Sequence, residues 1–380
     1  MQHGIKREKI TEVAKKAKAE RDKTKIENYR NLTIDILQEK DNKIYTKDTL
    51  NKTTTVLLLN PEFYTVWNYR REILLDLFSK NILKKKEALE DDLKIVMSQL
   101  KRLPKCYWVW NHRIWCLNQL QTTNEANWDV ELAIVSKLLE MDSRNFHGWQ
   151  YRRFLVENIQ KKSAREYNTQ PNLEQLAQLK INIKEFEYTT SKINKNISNF
   201  SAWHNRTKLI PKIYSGLKEL DNKEEFSDVS HLFQSPYSIM VHDLELIKTG
   251  MYMDPEDTSV WLYLYWLITD KFFVDDLRNS TNEKASYKDI LHEQLKLIEE
   301  LNELEKDDNV QGLDNCWCLK SIISIKGLIK REEAGGSISR GTLLDEDTRI
   351  LINKLIEIDP LRKGRYLDQL KGVSSIISVA

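Results

Sequence analysis

A tryptophan-centred segment recurs five times along the chain, and a repeated unit restricts a fold more than any local propensity does. Aligned on the tryptophan, the copies read NPEFYTVWNYRRE (60–72), LPKCYWVWNHRIW (103–115), DSRNFHGWQYRRF (142–154), NISNFSAWHNRTK (196–208) and DPEDTSVWLYLYW (254–266). The anchors Trp67, Trp110, Trp149, Trp203 and Trp261 stand 43, 39, 54 and 58 residues apart. Three residues before the anchor come the aromatics Tyr64, Tyr107, Phe146 and Phe200, and three after it Arg70, Arg113, Arg152 and Arg206. Seven before it stand Asn60, Leu103, Asp142, Asn196 and Asp254, four of them capping types, with proline directly following in three copies. This pattern predicts that the column opens the tryptophan helix, where proline costs no hydrogen bond. DPLRKGRY (359–366) reads as a degenerate sixth copy with Tyr366 in the tryptophan place, and NCWCLK around Trp317 as part of another worn unit.

Each copy reads as a helical hairpin. Upstream of Trp110, Leu93, Val96, Met97, Leu100 and Leu103 keep the spacing of an amphipathic helix, and Leu74 lies seven after Trp67 on the same face. A single hairpin cannot bury its apolar side, so the expected fold is all-α: an α–α superhelix, a crescent solenoid of stacked hairpins over residues 41–380. Residues 1–40 are expected to form a basic, exposed helical segment, with nine Lys/Arg against four acids over 5–25. Only 11 glycines and 7 prolines in 380 residues agree with long helices. Polar stretches at 161–172, 216–235 and 278–286 read as surface loops, and REEAGGSISRG (331–341) as a linker.

Composition excludes several functions. Basic and acidic residues nearly cancel, 59 against 57, so no net field calls for nucleic acid. The longest apolar run, SVWLYLYWLI (259–268), is too short to span a bilayer, and MQHGIKREK has no secretory apolar core. Cys106, Cys116, Cys316 and Cys318 lack disulfide-framework or zinc spacing, which points to a reduced compartment, the cytosol. Neither a glycine-rich phosphate loop nor a Gly-x-Ser-x-Gly elbow is present, and the seven histidines are scattered.

Within the repeats, the tryptophans and arginines read as structure: an apolar plug between hairpins and a cation one turn later, set to pair with the next unit. Five before the anchor the column holds Glu62, Lys105, Arg144, Ser198 and Glu256, so the second and third copies place base in equivalent connections. In a solenoid Lys105 and Arg144 would be neighbours, beside Tyr107, Phe146 and His147. Cation next to flat aromatic surface suits a diphosphate on a greasy tail; the alternative, which the residues alone favour, is that the two basic loop residues are simply solvated.

The segment Pro104-Lys105-Cys106-Tyr107-Trp108-Val109-Trp110-Asn111-His112-Arg113 resembles the repeat of the protein prenyltransferase α subunits, and the likeness extends over all five copies and DPLRKGRY. The N-terminal HGIKR before a basic helix is most similar to the Rab-directed, type II geranylgeranyltransferase branch, in its compact form. The resemblance implies a crescent α subunit wrapped around a β subunit that holds zinc and most of the isoprenoid pocket. It implies transfer of geranylgeranyl from its diphosphate to C-terminal cysteines of Rab GTPases presented by a Rab escort protein. It carries the diphosphate-contacting lysine onto Lys105, its aromatic neighbour onto Tyr107 and a substrate-facing histidine onto His147. A separate hypothesis has His3 reaching the partner's zinc in the resting enzyme, against the plainer reading of a lone histidine without function near the chain's start; this chain itself is expected to bind no metal. Competing readings are the shared α subunit of farnesyltransferase and the type I enzyme, and a tetratricopeptide-like scaffold, whose period near 34 the spacings do not match.

Overall fold

The computed structural model describes residues 11–220, 224–279, 286–335 and 343–377, and every regular element among them is helical. The chain divides into two compact units, residues 1–157 and 158–380. The helices are α1 (Glu12–Asp41), α2 (Lys47–Leu59), α3 (Tyr64–Ser79), α4 (Lys85–Arg102), α5 (Tyr107–Gln121), α6 (Trp128–Met141), α7 (Phe146–Glu166), α8 (Pro171–Lys195) and α9 (Phe200–Glu219). They continue with α10 (Ser227–Ser230), α11 (Pro236–Met253), α12 (Thr258–Thr269), α13 (Lys271–Asn279), α14 (Tyr287–Asp308), α15 (Cys316–Glu333), α16 (Glu346–Ile358) and α17 (Lys363–Leu370). Each tryptophan anchor sits in the first turn of the second helix of a hairpin: α3, α5, α7, α9 and α12. The 30-residue α1 is almost wholly exposed, Ile36 alone being buried.

The column seven before the tryptophan does not open that helix. Asn60, Leu103, Asp142, Asn196 and Asp254 close α2, α4, α6, α8 and α11. A capping-type residue is equally at home in an Asx turn, and that is its use here. The side-chain oxygens of Asn60, Asn196 and Asp254 accept the amides of Glu62, Ser198 and Glu256 at 3.2, 3.1 and 3.2 Å. The prolines therefore lie inside the four-residue loops 60–63, 103–106 and 254–257, and Leu103, expected on an apolar face, is 39% exposed. True N-caps stand four before the anchor: Asn199 accepts from Ala202 N, Asp257 from Ser259 N, and Asn145 from His147 N and Gly148 N. Asn315 caps α15 in the same way, which puts Leu319 rather than Trp317 in the anchor place of the worn unit.

Every anchor is buried, and every one is also a clip. Trp67, Trp110, Trp149, Trp203 and Trp261 donate their indole N–H to the carbonyls of Pro61, Pro104, Ser143, Ile197 and Pro255, each six residues back, at 2.9, 2.9, 2.9, 2.6 and 2.8 Å. The loop is thereby fastened to the helix that follows it. Neighbouring loops are tied too: Cys106 Sγ donates to Pro61 O (3.5 Å) and Asn145 Nδ2 to Pro104 O (3.0 Å). In the second unit Ser259 Oγ donates to Ser198 O at 3.1 Å.

Two loop expectations need correction. α7 extends to Glu166, leaving only 167–170 outside helix, because KKSARE has good helical propensity despite its polarity. The 216–235 stretch contains the end of α9, a 3₁₀ turn (Glu224–Phe226) and α10. Most of 278–286 and 331–341 lies outside the described residues, although α13 and α15 reach Asn279 and Glu333. The fifth copy fills its own unit: Leu264 takes the arginine place, fully buried with Trp261, Tyr263 and Leu267.

Candidate functional site

The loop between α4 and α5 is fixed on both sides of one lysine. Leu103 N bonds Gln99 O at 2.7 Å, Cys106 N bonds Leu103 O at 3.2 Å, and the carbonyl of Pro104 accepts both Trp110 and Asn145. Lys105 thus has a held backbone and a free side chain, 74% exposed, with Asp142 Oδ2 4.0 Å from its ammonium. Asp142 of the next loop approaches it, and Arg144 is exposed on that same loop.

Beside the lysine is an aromatic cluster. Tyr107 and Phe146, the first residues of α5 and α7, are 56% and 51% exposed with ring centroids 5.8 Å apart. His147 is buried between them, 3.9 Å from Phe146 and edge-on to Tyr107 at 4.2 Å, with its plane nearly parallel to Trp110. Burial lowers its pKa, while the Lys105 main-chain carbonyl and the Glu62 carboxylate pull the other way. The imidazole is therefore neutral near pH 7, and its buried Nε2 has no hydrogen-bond partner. Tyr64 and Phe200 repeat the exposed aromatic at the first residue of α3 and α9. The lysine can meet negative charge and the flat rings an apolar chain. Cys106 supplies no nucleophile, because burial pushes its thiol up to about 11.

Residues 46–77, 89–120, 128–159 and 183–213 match the protein prenyltransferase alpha subunit repeat. The chain is 49% identical to the geranylgeranyl transferase type-2 subunit alpha of Candida albicans, over 99% of both chains. It is 36% identical to the protein of that name from Saccharomyces cerevisiae, over 97% of this chain and 99% of the other. The chain belongs to the type-2 geranylgeranyl transferase α-subunit family. Among solved structures it is similar to Candida albicans protein geranylgeranyltransferase-I complexed with GGPP, with a TM-score of 0.55 at 18% identity over 92% and 91% of the two chains. That likeness speaks to the fold. Human geranylgeranyl transferase type-2 subunit alpha is 32% identical over 70% of this chain and 41% of its own length.

The four repeat arginines of this α subunit are held in buried networks. Arg70 binds both oxygens of Asp92 (2.9 and 2.5 Å) and Thr53 (2.8 Å); Arg113 binds both oxygens of Glu131 (2.8 and 2.7 Å); Arg206 binds both of Asp243 (2.9 and 2.7 Å). Arg152 donates to Ser136 Oγ at 2.8 Å. Each carboxylate also takes a hydrogen bond from the residue two after its own hairpin's tryptophan: His112 at 2.7 Å, Tyr151 at 2.5 Å and Tyr263 at 2.5 Å. Sequence reasoning missed this column although its signal was present. Asp92, Glu131 and Asp243 each stand 18 residues before Trp110, Trp149 and Trp261.

Among the described residues, Asp92, His112 and Cys116 form one group whose ligand atoms lie within 4.8 Å of one another. They do not suit a metal. Arg70 occupies both carboxylate oxygens, and His112 Nε2 is spent on Asp92. Burial pushes the Cys116 thiol well up. Position 3 lies outside the described residues. No helix among the described residues is long and apolar enough to cross a membrane.

Proposed function

We propose that the chain is the α subunit of a heterodimeric cytosolic enzyme that transfers geranylgeranyl from its diphosphate to C-terminal cysteines of Rab GTPases presented by an escort protein. The observation that carries this reading is Lys105: an exposed ammonium on a pinned loop, beside Tyr107 and Phe146, in a chain with full-length type-2 α-subunit relatives. As the C–O bond of the substrate lengthens, negative charge grows on the departing diphosphate, and Lys105 meets it there. Tyr107 and Phe146 offer the isoprenoid flat apolar surface. His147 is neutral and buried, so its role is to hold those two rings and present a hydrogen-bonding edge. Arg144, exposed on the next loop, extends the positive field. In this reading zinc in the β subunit would hold the acceptor cysteine as a thiolate, as the resemblance to the prenyltransferases implies. The test is co-expression with the β subunit and transfer of labelled geranylgeranyl to a Rab–escort complex. Robust labelling of the Rab is expected. Labelling only of short peptides ending in a prenylation box would transfer the chain to the farnesyl and type I enzymes, and co-purification without transfer would return the scaffold reading.

A further inference from the structure

The consecutive arginines Arg70 and Arg71 have opposite fates. Arg70 is buried and paired, whereas Arg71, about 100° further round α3, is half-buried and pairs with no carboxylate of the described residues. Its Nε donates to His112 Nδ1 at 3.3 Å, its Nη1 makes one long contact to Asn68 Oδ1 at 3.4 Å, and its guanidinium carbon lies 5.9 Å from the Trp115 ring centroid. The histidine contact is a defined one. His112 stays neutral, its pKa lowered to about 4 by burial, and its Nε2–H is given to Asp92, so Nδ1 presents a lone pair to Arg71. The guanidinium is thereby held at its base while Nη2 and one side of Nη1 remain open. Burial disfavours this charge and no carboxylate offsets it.

The surroundings are those of a binding hot spot. Trp115 stacks on His112 at 5.4 Å, and seven residues earlier on α5 Trp108 packs against Tyr64 at 5.2 Å. Tyr64 is itself seven residues before Arg71 on α3. Tyr64 and Trp108 thus mark one end of a panel and Arg71 and Trp115 the other, two helical turns or about 10 Å apart. Both tryptophans are half-buried, as Arg71 is. Trp, Tyr and Arg are the residue types that dominate interface energetics, and a preorganised guanidinium loses little freedom on pairing. The panel begins at the residue after Tyr107, so it continues the candidate site.

We infer that this panel on α3 and α5 docks an acidic segment of the β subunit, a partner carboxylate closing end-on across the open Nη1 and Nη2 of Arg71 while apolar side chains cover Trp108 and Trp115. The inference rests on the heterodimer reading. Charge complementarity selects the occupant: an apolar segment alone would leave the cation desolvated and unpaired, at a cost.

The measurement is the dissociation constant of labelled chain for purified β subunit, by fluorescence anisotropy at low and high salt. Variants are Arg71→Gln and Arg71→Glu, with thermal melting as the check on folding. Arg71→Gln is expected to weaken assembly about 30-fold or more, the lower range for losing half of a desolvated charge pair, with Arg71→Glu weaker still. The wild-type salt dependence should also be steeper than that of Arg71→Gln. If Arg71→Gln binds within twofold of wild type, the docking inference is overturned and the heterodimer reading stands. If wild-type chain itself fails to bind, both fall.

Discussion

Lys105 is exposed and weakly tied, and the chemistry proposed above rests on it. Its approach to Asp142 is a surface contact of little energy. Replacing it should therefore leave folding and β-subunit binding untouched. Lys105→Ala is expected to lower the single-turnover rate of prenyl transfer by on the order of 10²–10³, by analogy with the loss of one oxyanion donor. A rate within a few-fold of wild type would remove Lys105 from the chemistry. The motif singles this residue out for the proposal, because base stands among aromatics in only two of the five loops. Asp92, Glu131 and Asp243 were not legible in the same way. Asp92 sits in a highly charged helix and Glu131 and Asp243 in largely apolar ones, but in either setting an acid usually means the solvent face, and only its distance of 18 residues to the tryptophan separates each from its neighbours. The burial of Asp92 in α4 could not be read from the amphipathic spacing that located that helix.

At the level of the element, the hairpin was visible from spacing but its direction of capping was not. Asn and Asp serve an Asx turn after one helix as readily as the N-cap before the next, and sequence alone does not separate the two. What fixes the answer is the indole N–H, which reaches six residues back and demands a carbonyl there. A tryptophan in this column is thus more than volume. Trp203→Phe keeps an aromatic ring but strands the Ile197 carbonyl, and should cost about 2–4 kcal/mol from the lost hydrogen bond and the vacated ring volume together. Chemical denaturation measures it; a loss below about 1 kcal/mol would mean that the anchor acts by packing alone.

Across the whole molecule, the buried ionic networks set how stability depends on pH. His112 falls from 6.5 to about 4 because it is buried, so the unfolded chain takes up a proton below 6.5 that the folded chain refuses. Stability therefore declines as pH drops from 6.5 toward 4. Asp92 opposes its own burial with the Arg70 charge and the His112 hydrogen bond, and is held at about 2 against 3.8. Its contribution is complete above 3.8 and is lost between there and 2. Asp243, held below the usual carboxylate range by Arg206 despite full burial, adds loss in the same direction. The melting temperature should fall steadily from pH 7 to pH 4.5. In His112→Gln, which keeps a donor for Asp92 but cannot titrate, the fall should be shallower; an equal slope would contradict the assignment.

The tryptophan clips have a consequence for how such a chain can grow. Five loops of four residues each, 60–63, 103–106, 142–145, 196–199 and 254–257, are held to one length although their anchors are 39 to 58 residues apart. The extra chain has been accepted elsewhere, in helices and in turns such as 122–127 and 167–170. One end of every hairpin is thus closed to insertion and the other tolerant of it. A chain built this way can acquire appendages at its tolerant turns while the edge that carries Lys105 keeps its spacing.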